Sequence, residues 1–148
     1  MTLTTTKSWK NYITLCRMLE KNDIPFESDD SSLSVQCRVS GREAEIGFLL
    51  RIDPSKMLIS LYSPLCVHIS GDRLPDIALG IAMINSTLDD GVFCLDKKLQ
   101  QLYFRMTTSF YESNISGTLF EYMLCYAADA IDEYYPRLLR LAESEMPA

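Results

Sequence analysis

The apolar residues of this chain change period four times, which restricts the fold to a mixture of helix and sheet. From about Thr5 to Asn22, Trp9, Tyr12, Cys16 and Leu19 recur at steps of three and four, the spacing of one helical stripe. The stripe stops at "NDIP", and "SDDSS" follows as a polar loop. The period then becomes two. Leu33, Val35, Cys37 and Val39 alternate with polar residues, Ser40-Gly41-Arg42 turns, and Ile46, Phe48, Leu50 and Ile52 mark a second strand. Asp53-Pro54-Ser55 turns into a third strand, from Met57 to about Tyr62. Short turns between three consecutive strands predict an antiparallel meander.

"RLPDIALGIAMINSTLDDG" returns to helical spacing, with Leu74, Ile77, Ile81 and Leu88 as its core side and Gly91 expected as its left-handed C-cap. Strands over Val92–Leu95 and Leu102–Thr108 come next. A final helix starts near "ISGTLFEY", capped either by Ser116 or by a Thr118/Glu121 capping box. Its stripe runs through Phe120, Leu124, Ala127, Ile131, Tyr134/Tyr135, Leu138 and Leu141, and Pro136 predicts a kink. The expected order is α-β-β-β-α-β-β-α, an α+β fold with a five-stranded antiparallel sheet, and residues 1–148 read as a single domain.

Only one stretch suggests chemistry. "YSPLCVHIS" holds the chain's one histidine, His68, two places from Cys66, so both point to the same side of an extended segment. A thiol nucleophile also needs a base within hydrogen-bond reach and a third group to orient that base, and nothing nearby supplies one. Two ligands do not make a structural zinc site. Asp129, Asp132 and Glu133 share an outer helix face, where Glu133 can pair with Arg137, and read as solvated charge. No catalytic residue, metal ligand or cofactor is expected. The alternative is a small enzyme or ligand-binding protein using the Cys66/His68 region.

The net charge of −6 argues against a nucleic-acid partner and against an acidic membrane surface. The longest apolar run, Ile77–Ile84, spans 8 residues where a membrane helix needs about 20. The opening lacks the apolar core of a signal peptide, and five cysteines are odd in number, widely spaced and set in apolar patterns. The reading is a reduced, soluble, cytoplasmic protein.

"LPDIALGIAMINSTLDDGVFCLD", "QLYFRMTTSF" and "ISGTLFEYMLCYAADAIDEYYPRLLRLAE" resemble the YbjN family, described as candidate bacterial sensory-transduction regulators. The match spans about residues 72–142 and rests on Asn85 at the helix end, "GVFCLD", "LYFRM" and the closing "IDEYYPRLLRL". Family members resemble the class I chaperones of type III secretion in fold. The resemblance implies a small, acidic, cytoplasmic, homodimeric binder of extended protein segments, and it carries no catalytic residues.

Two surfaces follow from the strand and helix phases. Arg38, Leu49, Arg51, Leu58, Tyr62, Tyr103 and Arg105 are expected on the outer face of the sheet, a composition suited to binding another protein. Leu79, Gly80 and Met83 lie on a charge-free second side of the middle helix, expected to be a homodimer interface. The leading expectation is a non-enzymatic protein-binding module, regulatory or chaperone-like.

Overall fold

A computed structural model describes residues 3–143. Its elements in chain order are α1 (Leu3–Lys21), β1 (Phe26–Asp29), β2 (Ser34–Ser40), β3 (Glu45–Asp53), β4 (Leu58–Leu65), α2 (Leu74–Asn85), β5 (Val92–Asp96), β6 (Gln101–Ser109) and α3 (Gly117–Glu143). The sheet has six strands in the order β1-β2-β3-β4-β6-β5, every pairing antiparallel. The element order is therefore α-β-β-β-β-α-β-β-α, one strand more than the pattern predicts. The additional strand, β1, is the four-residue edge "FESD", whose four side chains are exposed or half-buried. It lacks apolar alternation because its inward side holds Phe26, opposite Cys37, and the polar Ser28, opposite Val35.

The strand phases agree with the alternation. Ile46, Phe48, Leu50 and Ile52 of β3, Ile59 and Leu61 of β4, and Leu102, Phe104 and Met106 of β6 are buried in one cluster with the apolar sides of the three helices. All helices thus cover a single face of the sheet. α3 packs against both α1 and α2 and provides the longest stripe, from Phe120 to Ala142.

Three hairpins close with one device. In each, an aspartate at the end of the first strand accepts the N–H two residues on, and the fourth residue after it takes positive φ. Asp29 binds Ser31 N–H with Leu33 at φ 51°, Asp53 binds Ser55 N–H with Met57 at 52°, and Asp96 binds Lys98 N–H with Gln100 at 51°. The Ser31 and Ser55 hydroxyls also donate to Asp29 and Asp53, and these bonds hold both carboxyls below their ordinary pKa. An aspartate's readiness to satisfy nearby backbone donors makes these turns local decisions of the sequence. Leu33 and Met57, expected inside strands, are therefore turn residues.

Helix ends follow similar chemistry. Asp23 takes the left-handed conformation after α1 at φ 55°, while Ile24 N–H returns to Leu19 C=O at 2.9 Å. Ser116 Oγ accepts Leu119 N–H at 3.1 Å, so Ser116 caps α3 and Glu121 instead receives Asn22 Nδ2 at 3.0 Å. α2 ends at Asn85, which corrects the expected C-cap at Gly91. That glycine, at φ 69°, enters β5, where a Cβ would sit 2.5 Å from Phe104 Cζ and 2.7 Å from Met106 Cγ. The buried side of α2 is Ile77, Ile81 and Ile84, with Leu88 beyond the helix.

Asn85 caps the sheet edge. Its Oδ1 accepts Phe93 N–H at 2.8 Å and its Nδ2 donates to Phe93 C=O at 3.0 Å, so one side-chain amide replaces the missing neighbour of β5. Asn85→Ala strips both bonds and should lower stability by about 1–3 kcal/mol, seen as a lower urea midpoint with an unchanged slope.

Candidate functional site

Among the described residues no element covers the face of the sheet opposite the helices. Across it runs a row of cross-strand neighbours from all six strands: Glu27, Gln36, Leu49, Tyr62, Arg105 and Val92. A second row runs from Arg51 through Ser60 to Thr107, and a third sets Tyr103 between Pro64 and Cys94. Tyr62 and Tyr103 lie on the diagonal between rows, their rings 6.0 Å apart and tilted by 44°. Burial and the adjacent Cys94 thiol push the Tyr103 hydroxyl above its ordinary pKa. It is a neutral donor and acceptor at physiological pH.

Arg51 and Arg105 are exposed, while Leu49, Leu58, Tyr62 and Tyr103 are half-buried. Arg38 lies toward the end of β2 and pairs loosely with Glu45 at 3.7 Å, an exposed contact of little energetic weight. All seven residues expected on this face are on it. The residues that the composition argument passed over are Gln36, Val92 and Cys94. They come from the same register, and their alternation in β2 and β5 was the available signal.

Since β2, β3, β4 and β6 are paired on both sides, their backbones are satisfied. The face can therefore recognise a partner only through side chains. It offers aromatic stacking from two tyrosines, apolar contact from Leu49 and Leu58, and planar guanidinium donors from Arg51 and Arg105.

Cys66 and His68 follow β4 in an extended segment where Leu65, Val67 and Ile69 are buried and the two polar residues face solvent. Alternation in this segment thus explains their spacing. Tyr135 Oη donates to the Cys66 carbonyl at 3.3 Å, which ties the segment to α3 and leaves the thiol outside. Among the described residues no three His, Cys, Asp or Glu side chains group as a metal site. The buried thiol is Cys37, which burial pushes up to about 11.

The acidic side of α3 has a structural role that differs from the expected solvated one. Asp132 Oδ1 accepts Arg42 N–H at 3.1 Å, and Glu133 lies 3.9 Å from Arg42, so the pair engages the β2–β3 turn instead of Arg137. Gly41 is favoured there, since a Cβ would meet the Ala44 carbonyl at 2.7 Å as well as Asp132 Oδ1 at 2.6 Å. Tyr126 Oη likewise accepts Asp89 and Asp90 N–H at 2.9 and 3.1 Å, and so holds the "LDDG" loop.

On α2, Leu79 and Met83 are 63% and 62% exposed. Gly80 corrects the expectation that grouped it with them. A Cβ there would sit 2.6 Å from Leu141 Cδ1, so its small size lets α3 approach within the chain.

Comparison of the whole structure with solved proteins decides what architecture this is. The fold is YbjN-like and type III secretion chaperone-like. A chain of the ExsC–ExsE complex superposes with a TM-score of 0.63 at 15% identity, covering 99% of this chain and 100% of that one. YbjN of E. coli, a candidate transcription regulator, gives 0.60 at 11% identity over 85% and 92% of the two chains. A chain of the HopA1–SchA chaperone–effector complex gives 0.58 at 12%, covering 95% and 99%. No family model and no curated protein matches the sequence. Among the described residues no helix is long and apolar enough to cross a membrane.

Proposed function

We propose that this chain is a non-enzymatic protein-binding module of the bacterial cytoplasm, regulatory or chaperone-like, which works as a homodimer. One observation carries the reading: an uncovered sheet face with Tyr62, Tyr103, Leu49, Arg51 and Arg105 at its centre. The ring pair of Tyr62 and Tyr103 steadies the sheet, but Arg51 and Arg105, exposed and in no ion pair among the described residues, add little to folding. A partner that stacks on the rings and accepts from the guanidiniums gains affinity from each. The neighbours support the same class, since two of them are described as protein complexes, one of a chaperone with its effector.

The partner in this reading is another protein, with neither nucleic acid nor membrane involved. Replacing Tyr62 and Tyr103 together by alanine should abolish capture of that partner while the far-ultraviolet circular dichroism stays native. The measurement is affinity capture from the bacterial source, wild type against double variant, compared by quantitative mass spectrometry. A protein captured equally by both would place the binding surface elsewhere.

A further inference from the structure

A groove lies on the opposite side of the sheet, along α1. Two adjoining hollows of about 370 and 640 Å³ open between α1 and the segment joining β6 to α3, and Lys10 and Asn114 line both. Lys7, Lys10, Asn11, Thr14 and Arg17 follow one another at steps of three, one, three and three, so they form one continuous edge of the groove. Its cationic groups span about 15 Å from Lys7 to Arg17 at 1.5 Å per residue. Trp9 borders it and is 41% exposed, and Tyr111 stands exposed at the other end.

The decisive feature is Asn11, which is 1% exposed. Its Oδ1 accepts Ile115 N–H at 2.9 Å, which fixes the orientation of the amide. Its Nδ2 is buried and has no partner among the described residues. An orphaned buried donor is rare in a folded protein and calls for an acceptor. Here the acceptor would arrive between lysine and arginine side chains, with Glu112 the single acid among the lining residues of a chain whose net charge is −6.

We infer that this groove binds an extended acidic peptide segment of a partner, one carboxylate or carbonyl seating on Asn11 Nδ2 and further carboxylates pairing with Lys10 and Arg17. A linear stripe fits an extended chain better than a compact anion. Three cations in an acidic protein attract a peptide's few carboxylates more readily than they overcome the repulsion of a polyphosphate.

Trp9 is the only tryptophan, so its emission reports on this groove alone. The full-length protein is titrated with a ten-residue peptide of alternating Glu and Leu. The matching Gln and Leu peptide and a ten-nucleotide oligothymidine serve as comparisons. A saturable Trp9 shift is expected with the acidic peptide only. Arg17→Glu and Lys10→Glu, both at exposed positions, should each weaken it about tenfold or more. Asn11→Asp keeps the acceptor for Ile115 and turns the donor into a repelling oxygen, so it should abolish the shift. If that variant does not fold, the two charge reversals decide. The Tyr62/Tyr103 double alanine variant should bind the peptide unchanged, which separates this groove from the sheet face. No shift at about 1 mM peptide overturns the inference. So do equal binding of the Gln peptide, tighter binding of the oligothymidine, or indifference to the charge reversals.

Discussion

Phe104→Ala should destabilise the protein by about 3–5 kcal/mol, enough to remove a large share of the roughly 5–15 kcal/mol that holds a domain folded. Phe104 has no solvent exposure, sits on β6 between β4 and β5, and packs edge-on against Phe93 with ring centroids 5.0 Å apart. It also fills the space that Gly91 leaves by lacking a Cβ. Truncation would therefore lose the transfer term, the ring pair and the contact with the β5 entry, and paired backbones on both sides limit collapse of the cavity. The adjacent Arg105 points to the other face and is exposed, so Arg105→Ala should change stability by no more than about 0.5 kcal/mol. Urea unfolding of the two variants tests the strand phase directly. A one-residue slip of β6 would exchange their effects, and that outcome would also remove Tyr103 from the proposed binding face.

That contrast marks what was readable before the structure. A half-buried strand imprints its period on the sequence because each inward residue must be apolar, and β2, β3, β4 and β6 were legible for that reason. β1 was not. As an edge strand with a single apolar side chain inward it is held largely by backbone pairing, which leaves no compositional trace. The Asp29, Asp53 and Asp96 turns were present as residues, but their shared geometry emerges only when the strand ends are known. Gly80 and Gly91 show the limit from the other side. Each has a good local reading, dimer face or helix cap, but the true constraint comes from Leu141 or Phe104, which lie 61 and 13 residues away in sequence. Long-range close approach cannot be read from neighbours. The outer-face residues were found because they are the complement of the core phase. Asn11, whose significance depends on what its amide lacks, gave no signal at all.

Leu79→Glu should convert the proposed homodimer, at twice the 16.9 kDa chain mass, into monomers by light scattering. On α2, Pro75, Ala78, Leu79, Ala82 and Met83 are all exposed, and they recur at steps of three, one, three and one, the outline of a single helical face. After Asp76 this helix has no charged residue, although its exposed side would ordinarily carry several. Small residues at 78 and 82 flank the two large ones, so a second helix can approach closely. A two-fold contact sets each face against its own copy and brings four large side chains together, each worth about 1.5–3 kcal/mol if fully buried. Glutamate at position 79 would place two carboxylates near that axis, unpaired and desolvated. A loss of even about 3 kcal/mol weakens the dimer more than a hundredfold. The same substitution faces water in the monomer, so folding and Trp9 emission should be unchanged. Wild-type protein at chain mass under tens of micromolar loading, or a Leu79→Glu variant that keeps the doubled mass, would leave this apolar face without the occupant proposed for it.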